Sequence, residues 1–201
     1  MIILGALALA YAFCYSSGAI SELNFVLSNG NFTGYVAEGK NDASLVDDIQ
    51  GFNDILMYMG IAVILLGVLL YITACNKRRN YYISNYVATG VVAGGNIVIS
   101  LVVMIMNAMW LGEFRNVDFD AWRQFNAEGA AFDQAMGEEV EDVYKHFSDS
   151  ELWFHLGFVI YSLIIVASIL LILNLVWKIM LMRGEKKLLN GVNAVEGGAA
   201  V

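Results

Sequence analysis

Thr89, Ala93, Asn96, Ser100, Val103 and Asn107 follow one another at steps of 4, 3, 4, 3 and 4. This spacing sets two carboxamides and two hydroxyls among small side chains on one helix face. Such groups donate and accept hydrogen bonds without carrying charge. Gly90 and Gly94 beside them make a GxxxG element, which Gly95 extends. In hydrocarbon this chemistry is adhesive. Helices gain little there from apolar contact and associate through close backbone approach and hydrogen bonds, at about 0.6–2 kcal/mol per bond. We expect Thr89, Gly90, Gly94, Asn96, Ser100 and Asn107 to form a helix-packing seam. The alternatives are a polar lining for a pore or ligand cavity, and lateral contact with another subunit.

Other reactive groups are sparse. Asp142 and His146 lie four apart with Glu138 one turn earlier, a set that a solvated acidic helix face explains. HExxH, CxxC and phosphate-loop motifs are absent from the sequence. His155 is expected to snorkel or to be hydrogen-bonded near a membrane surface. The nine methionines form no copper motif. The sequence therefore predicts no catalytic residue, no metal and no cofactor: the chain reads as a non-enzyme. Nucleic-acid binding has no support beyond the three-residue basic cluster Lys77, Arg78 and Arg79.

These residues are set on four long apolar stretches at about 1–20, 55–74, 86–112 and 153–179, in which Lys178, at the end of the last, is the one Lys, Arg, Asp or Glu. Each meets or approaches the ~20 residues that carry a helix across a bilayer. Apolar residues make up 59% of the chain, above the soluble norm of about 45–50%. Charge divides the connecting segments. Residues 16–54 carry −5 and 113–151 carry −8, whereas 75–85 carry +3 and the segment from Lys178 onward +2. Lys and Arg mark the cytoplasmic side. The acidic loops, 21–54 and 113–152, then lie outside, and both termini lie in the cytoplasm of a cell-surface or bacterial inner membrane. Trp110 and Trp153 fall at the outer ends of their stretches, and Tyr71, Tyr81, Tyr82 and Trp177 near the inner ends, as interfacial rings do. The first stretch is short enough to read alternatively as a leader with a small-residue site at Ser17-Gly18-Ala19, but it has no basic segment before it. A retained span is expected. Cys14 and Cys75 fall at opposite membrane levels, too far apart for a disulfide.

In the outer loops, Asn31-Phe32-Thr33 is the chain's one N-glycosylation sequon. Leu45, Ile49 and Phe52 predict a turn or two of helix ahead of the second span. Phe119, Trp122, Phe125, Gly129, Phe132, Met136, Val140, Val143 and Phe147 predict an amphipathic stripe with an acidic opposite face. That stripe either packs as a cap on the first outer loop or docks a partner, with Phe119, Trp122, Phe125, Phe132 and Met136 as its contact residues. The Gly- and Ala-rich tail, 183–201, is expected to be flexible by itself. Lys77, Arg78 and Arg79 would meet lipid headgroups, at about 1 kcal/mol each.

The sequence thus predicts an all-α integral membrane four-helix bundle, residues 1–182, with a small acidic helical cap outside. Its leading function is that of a non-catalytic accessory or structural subunit. The expected partners are other membrane protein subunits or further copies of the chain, within a lipid bilayer. The runner-up is an oligomeric channel around Asn96, Ser100 and Asn107.

Overall fold

The apolar face of the second stretch does not stop at residue 55. Ile49, Phe52, Leu56, Gly60, Val63 and Gly67 follow steps of 3 or 4, and all are buried. No proline interrupts them, so the helical turns expected before the span and the span itself are one helix. A computed structural model of the chain describes residues 1–20, 42–74, 83–116, 127–128, 131–132, 135–136 and 151–198. Its helices are α1 (Ile2–Tyr15), which a π-helical turn at Ser16–Ile20 continues, α2 (Asp42–Ala74), α3 (Ile83–Arg115) and α4 (Leu152–Gly198). Among the described residues there is no strand. Asp48–Thr73, Asn85–Arg115 and Leu152–Lys186 are long and apolar enough to cross a membrane, and Ile2–Gly18 is apolar but shorter.

α4 runs for 47 residues, or about 70 Å. It includes most of the tail whose glycines and alanines suggested a flexible chain. Propagating an existing helix costs far less than nucleating one, and Lys186, Lys187, Leu188 and Leu189 are all good helix formers. The tail continues a helix that the apolar segment has already started.

The four helices pack antiparallel in chain order, with α4 returning beside α1. The most extensive contacts are α1 with α2 and α3 with α4. Glycine sets the first of these pairs. A Cβ added at Gly5 would lie 2.8 Å from the Ile64 backbone nitrogen, one at Gly60 would lie 3.0 Å from that of Leu9, and one at Gly67 would lie 2.9 Å from that of Ile2. Each glycine therefore lets backbone approach backbone, the contact that holds helices together where hydrophobic attraction is weak.

One end of the bundle is closed by rings. Tyr15 meets Phe52 and Phe154 edge-on, with centroids 5.9 and 5.6 Å apart, and Phe154 meets Phe114 at 5.2 Å. Edge-to-face geometry sets a positive ring edge against a negative face. Below the rings, Ala8, Ala12, Leu56, Val63, Val103 and Ile164 fill the core. The outward faces of α2, α3 and α4 carry exposed Val, Leu and Ile.

The glycines of α1 and α3 should respond oppositely to a methyl group. Gly5→Ala drives a Cβ into the α2 backbone and should cost about 1–3 kcal/mol. Gly90→Ala meets nothing within 4 Å and should stabilise by up to about 1 kcal/mol through helix propensity. Reversible unfolding in mixed detergent micelles reads both values.

Candidate functional site

The polar stripe of α3 turns into the bundle. Asn96, Ser100 and Asn107 are at most 1% exposed, alongside buried Val92, Ala93 and Val103. Thr89 is half-buried, and its hydroxyl donates to the Asn85 carbonyl one turn back at 2.8 Å. Gly90 and Gly94 are placed differently. A Cβ at either would meet no atom within 4 Å, and Val87, Val91 and Val98 beside them are exposed. The GxxxG element therefore faces away from the other three helices, separate from the amides with which the sequence grouped it. Gly95 does meet a neighbour, the Leu66 side chain of α2.

The best-defined polar junction lies where α1 and α3 reach the first turns of α4. The Asn107 Nδ2 donates to the Phe154 carbonyl at 2.8 Å, and the Tyr11 hydroxyl donates to the Trp153 carbonyl at 2.8 Å. A helical carbonyl has a second lone pair, so it accepts such a bond beside its own helical one. Gly157 makes room for both donors. A Cβ there would sit 2.5 Å from the Tyr11 hydroxyl oxygen and 3.2 Å from the Asn107 Nδ2. Three helices are pinned at one notch. The polar spacing in the sequence marks Asn107 but neither Tyr11 nor Gly157. The available signal was the Gly5, Ala8, Tyr11, Ala12 and Tyr15 spacing, which is the buried face of α1.

A charged clamp closes the same end. Arg115, last in α3, grips Glu151 through two parallel bonds, Nε to Oε1 at 2.7 Å and Nη2 to Oε2 at 2.6 Å. The forked guanidinium matches the carboxylate geometry. His155 Nε2 stands 3.4 Å from the same carboxylate, one turn into α4. The backbone N–H groups of Phe154 and His155 donate to the Glu151 carbonyl, so the acid starts the helix where its dipole favours negative charge. The bond from Arg115 holds the Glu151 carboxyl below the usual carboxylate range.

Among the described residues no three His, Cys, Asp or Glu side chains converge on one point. Cys14 is a free, exposed thiol on α1. Phe132 and Met136 of the acidic-loop stripe are both exposed, and the Met136 N–H donates to the Phe132 carbonyl as in a helical turn. Phe119, Trp122, Phe125, Asn31, Lys77, Arg78 and Arg79 lie outside the described residues. The arrangement offers hydroxyls and amides in a tight apolar core, which can bond helices or bind small uncharged polar molecules. No protein-family model, curated protein or solved structure matches the chain.

Two measurements test the junction. Tyr11→Phe removes one donor and should cost about 0.6–1.5 kcal/mol. Gly157→Ala displaces both donors and should cost about 2–4 kcal/mol by overpacking and bond loss. Equal losses in mixed-micelle unfolding would contradict the notch.

The clamp has its own pH signature. A depressed folded-state pKa stabilises above the unfolded pKa, and that gain disappears as pH falls through the folded value. The contribution of the Arg115–Glu151 pair should be fully present above the ordinary Glu value and fall below about pH 4. Glu151→Gln should reduce that fall, read by thermal unfolding across the acid range. The effect should be small, because the pair is exposed.

Proposed function

We propose that the chain is a non-catalytic subunit of a larger membrane assembly. It crosses the bilayer four times, with α1 as the shortest span. Lys77, Arg78 and Arg79 and the Lys178–Lys187 segment lie on the cytoplasmic side, together with both termini. The acidic segments lie on the other side, where Phe119, Trp122, Phe125, Phe132 and Met136 form the outer docking face and cap. The membrane is a cell-surface or bacterial inner membrane.

The observation that carries this reading is the outward-facing pair Gly90 and Gly94. A glycine inside a helix costs about 1 kcal/mol relative to alanine. Gly5, Gly60, Gly67 and Gly157 each offset that cost by admitting a neighbouring backbone or side chain. Gly90 and Gly94 have no such neighbour among the described residues, and they sit in a smooth face with Val87, Val91 and Val98. A helix from another subunit, or from a second copy, would use that face as α1 uses Gly60 and Gly67. The interior position of Asn96, Ser100 and Asn107 favours their role as bundle adhesive. It weighs against a pore lined by these residues between copies, which would require α3 to turn about its axis.

Gly90→Leu combined with Gly94→Leu tests the reading, since neither side chain meets the rest of the bundle. In native membranes the unaltered chain should crosslink to a neighbouring subunit and co-purify with it. The double variant should keep its thermal stability and lose that neighbour. An unaltered chain that migrates as a monomer, with nothing crosslinked, contradicts the proposal.

A further inference from the structure

We propose that the bundle core binds about two buried water molecules along α3, independently of any partner outside. Asn96 Oδ1 and Nδ2, Ser100 Oγ, Asn107 Oδ1 and Tyr161 Oη are all buried without a hydrogen-bond partner among the described residues. Their residues are at most 1% exposed. Buried polar groups in folded proteins are bonded to protein or to ordered water, with few exceptions. Four of these atoms share one face of α3. Asn96 and Ser100 are one turn apart, and Asn107 lies two turns beyond on the same face. The Asn107–Phe154 and Tyr86–Met182 pairs fix the antiparallel register of α3 and α4. That register sets Tyr161 level with the turn at Val103, between Ser100 and Asn107. These groups are spread over about 16 Å of α3.

Local bonds do not account for these groups. Thr73, Thr89 and Ser168 each donate to the carbonyl four residues back, at 3.0, 2.8 and 2.8 Å. Ser100 has the same option and does not take it. Asn96 alone presents two donors and two acceptor lone pairs, more than its apolar neighbours can meet.

The chemistry also selects the occupant. Among the described residues no charged side chain is buried, so an ion finds no counter-charge there. The Tyr15, Phe52, Phe154 and Phe114 rings close one end, and buried Val63, Val92 and Ala93 close the other. A molecule entering past those side chains must be very small and must both donate and accept. Each buried water needs two to four polar partners, so these five atoms suit about two.

Water-edited solid-state NMR of the full chain in liposomes tests this. Asn96-Ile97 is the chain's one Asn-Ile pair, so 13C-asparagine with 15N-isoleucine assigns Asn96 without mutation. Magnetisation from water should reach the Asn96 carboxamide as quickly as it reaches exposed Asn116. Transfer as slow as that to outward-facing Ile105 overturns the proposal. So does a contact from Asn96 to protons belonging to neither water, lipid nor protein, which would identify a different ligand.

Discussion

How closely two backbones approach in hydrocarbon decides what this bundle can be. Lipid tails satisfy an apolar side chain as well as another helix does, so α1 and α2 gain little by burying Ile or Leu against each other. They gain by excluding lipid and bringing peptide dipoles and many atoms into contact. Gly5, Gly60 and Gly67 allow this, each with a neighbouring backbone nitrogen within about 3 Å of where its Cβ would be. Alanine in any of these places forces the helices apart, which is why these three positions hold the residue with the lowest helix propensity after proline.

Close approach then makes directed hydrogen bonds feasible. Tyr11 and Asn107 reach carbonyls of α4 because Gly157 presents no side chain between them. The bonds act on carbonyls already engaged in the α4 helix, so no donor of that helix is sacrificed. Specificity follows from the same contacts. A one-residue slip of α1 against α4 moves the Tyr11 hydroxyl off the notch, whereas a purely apolar interface would tolerate the slip. Polar groups without charge thus set register at a site where an ion pair would cost far more to desolvate.

The helices and the azimuth of α3 were legible in the sequence to different degrees. Apolar length marked the three long helices, because bilayer thickness imposes it. The steps from Ala93 to Asn107 identified one face, and Asn96, Ser100 and Asn107 do share a buried side. Gly60 and Gly67, seven apart, likewise share the face that meets α1. The GxxxG element was grouped with the amides because both are adhesive in lipid. Motif chemistry does not encode direction, however, and Gly90 and Gly94 lie on the other side of the helix. The Tyr11, Asn107 and Gly157 notch was not legible. It depends on the mutual register of three helices separated by long loops, and no single-helix period contains that information. The Arg115–Glu151 clamp was hidden for the same reason, since its partners are 36 positions apart.

The named interhelical contacts are distributed unevenly along the bundle, and that bears on where a neighbour would attach. Tyr11–Trp153, Asn107–Phe154, Arg115–Glu151 and the edge-on rings all sit toward the end where α3 stops and α4 begins. At the other end, glycine contacts between α1 and α2 are joined by the Tyr86 hydroxyl donating to the Met182 sulfur at 3.1 Å. A sulfur acceptor is weak, so among the named contacts the grip on the first turns of α3 is softer than the grip on its last. Local opening follows such gradients. Gly90 and Gly94 fall in that softer half, on the outward side of the helix. A second helix seated there, as proposed, would add close packing beside the weaker of the named contacts and leave the junction at the far end in place.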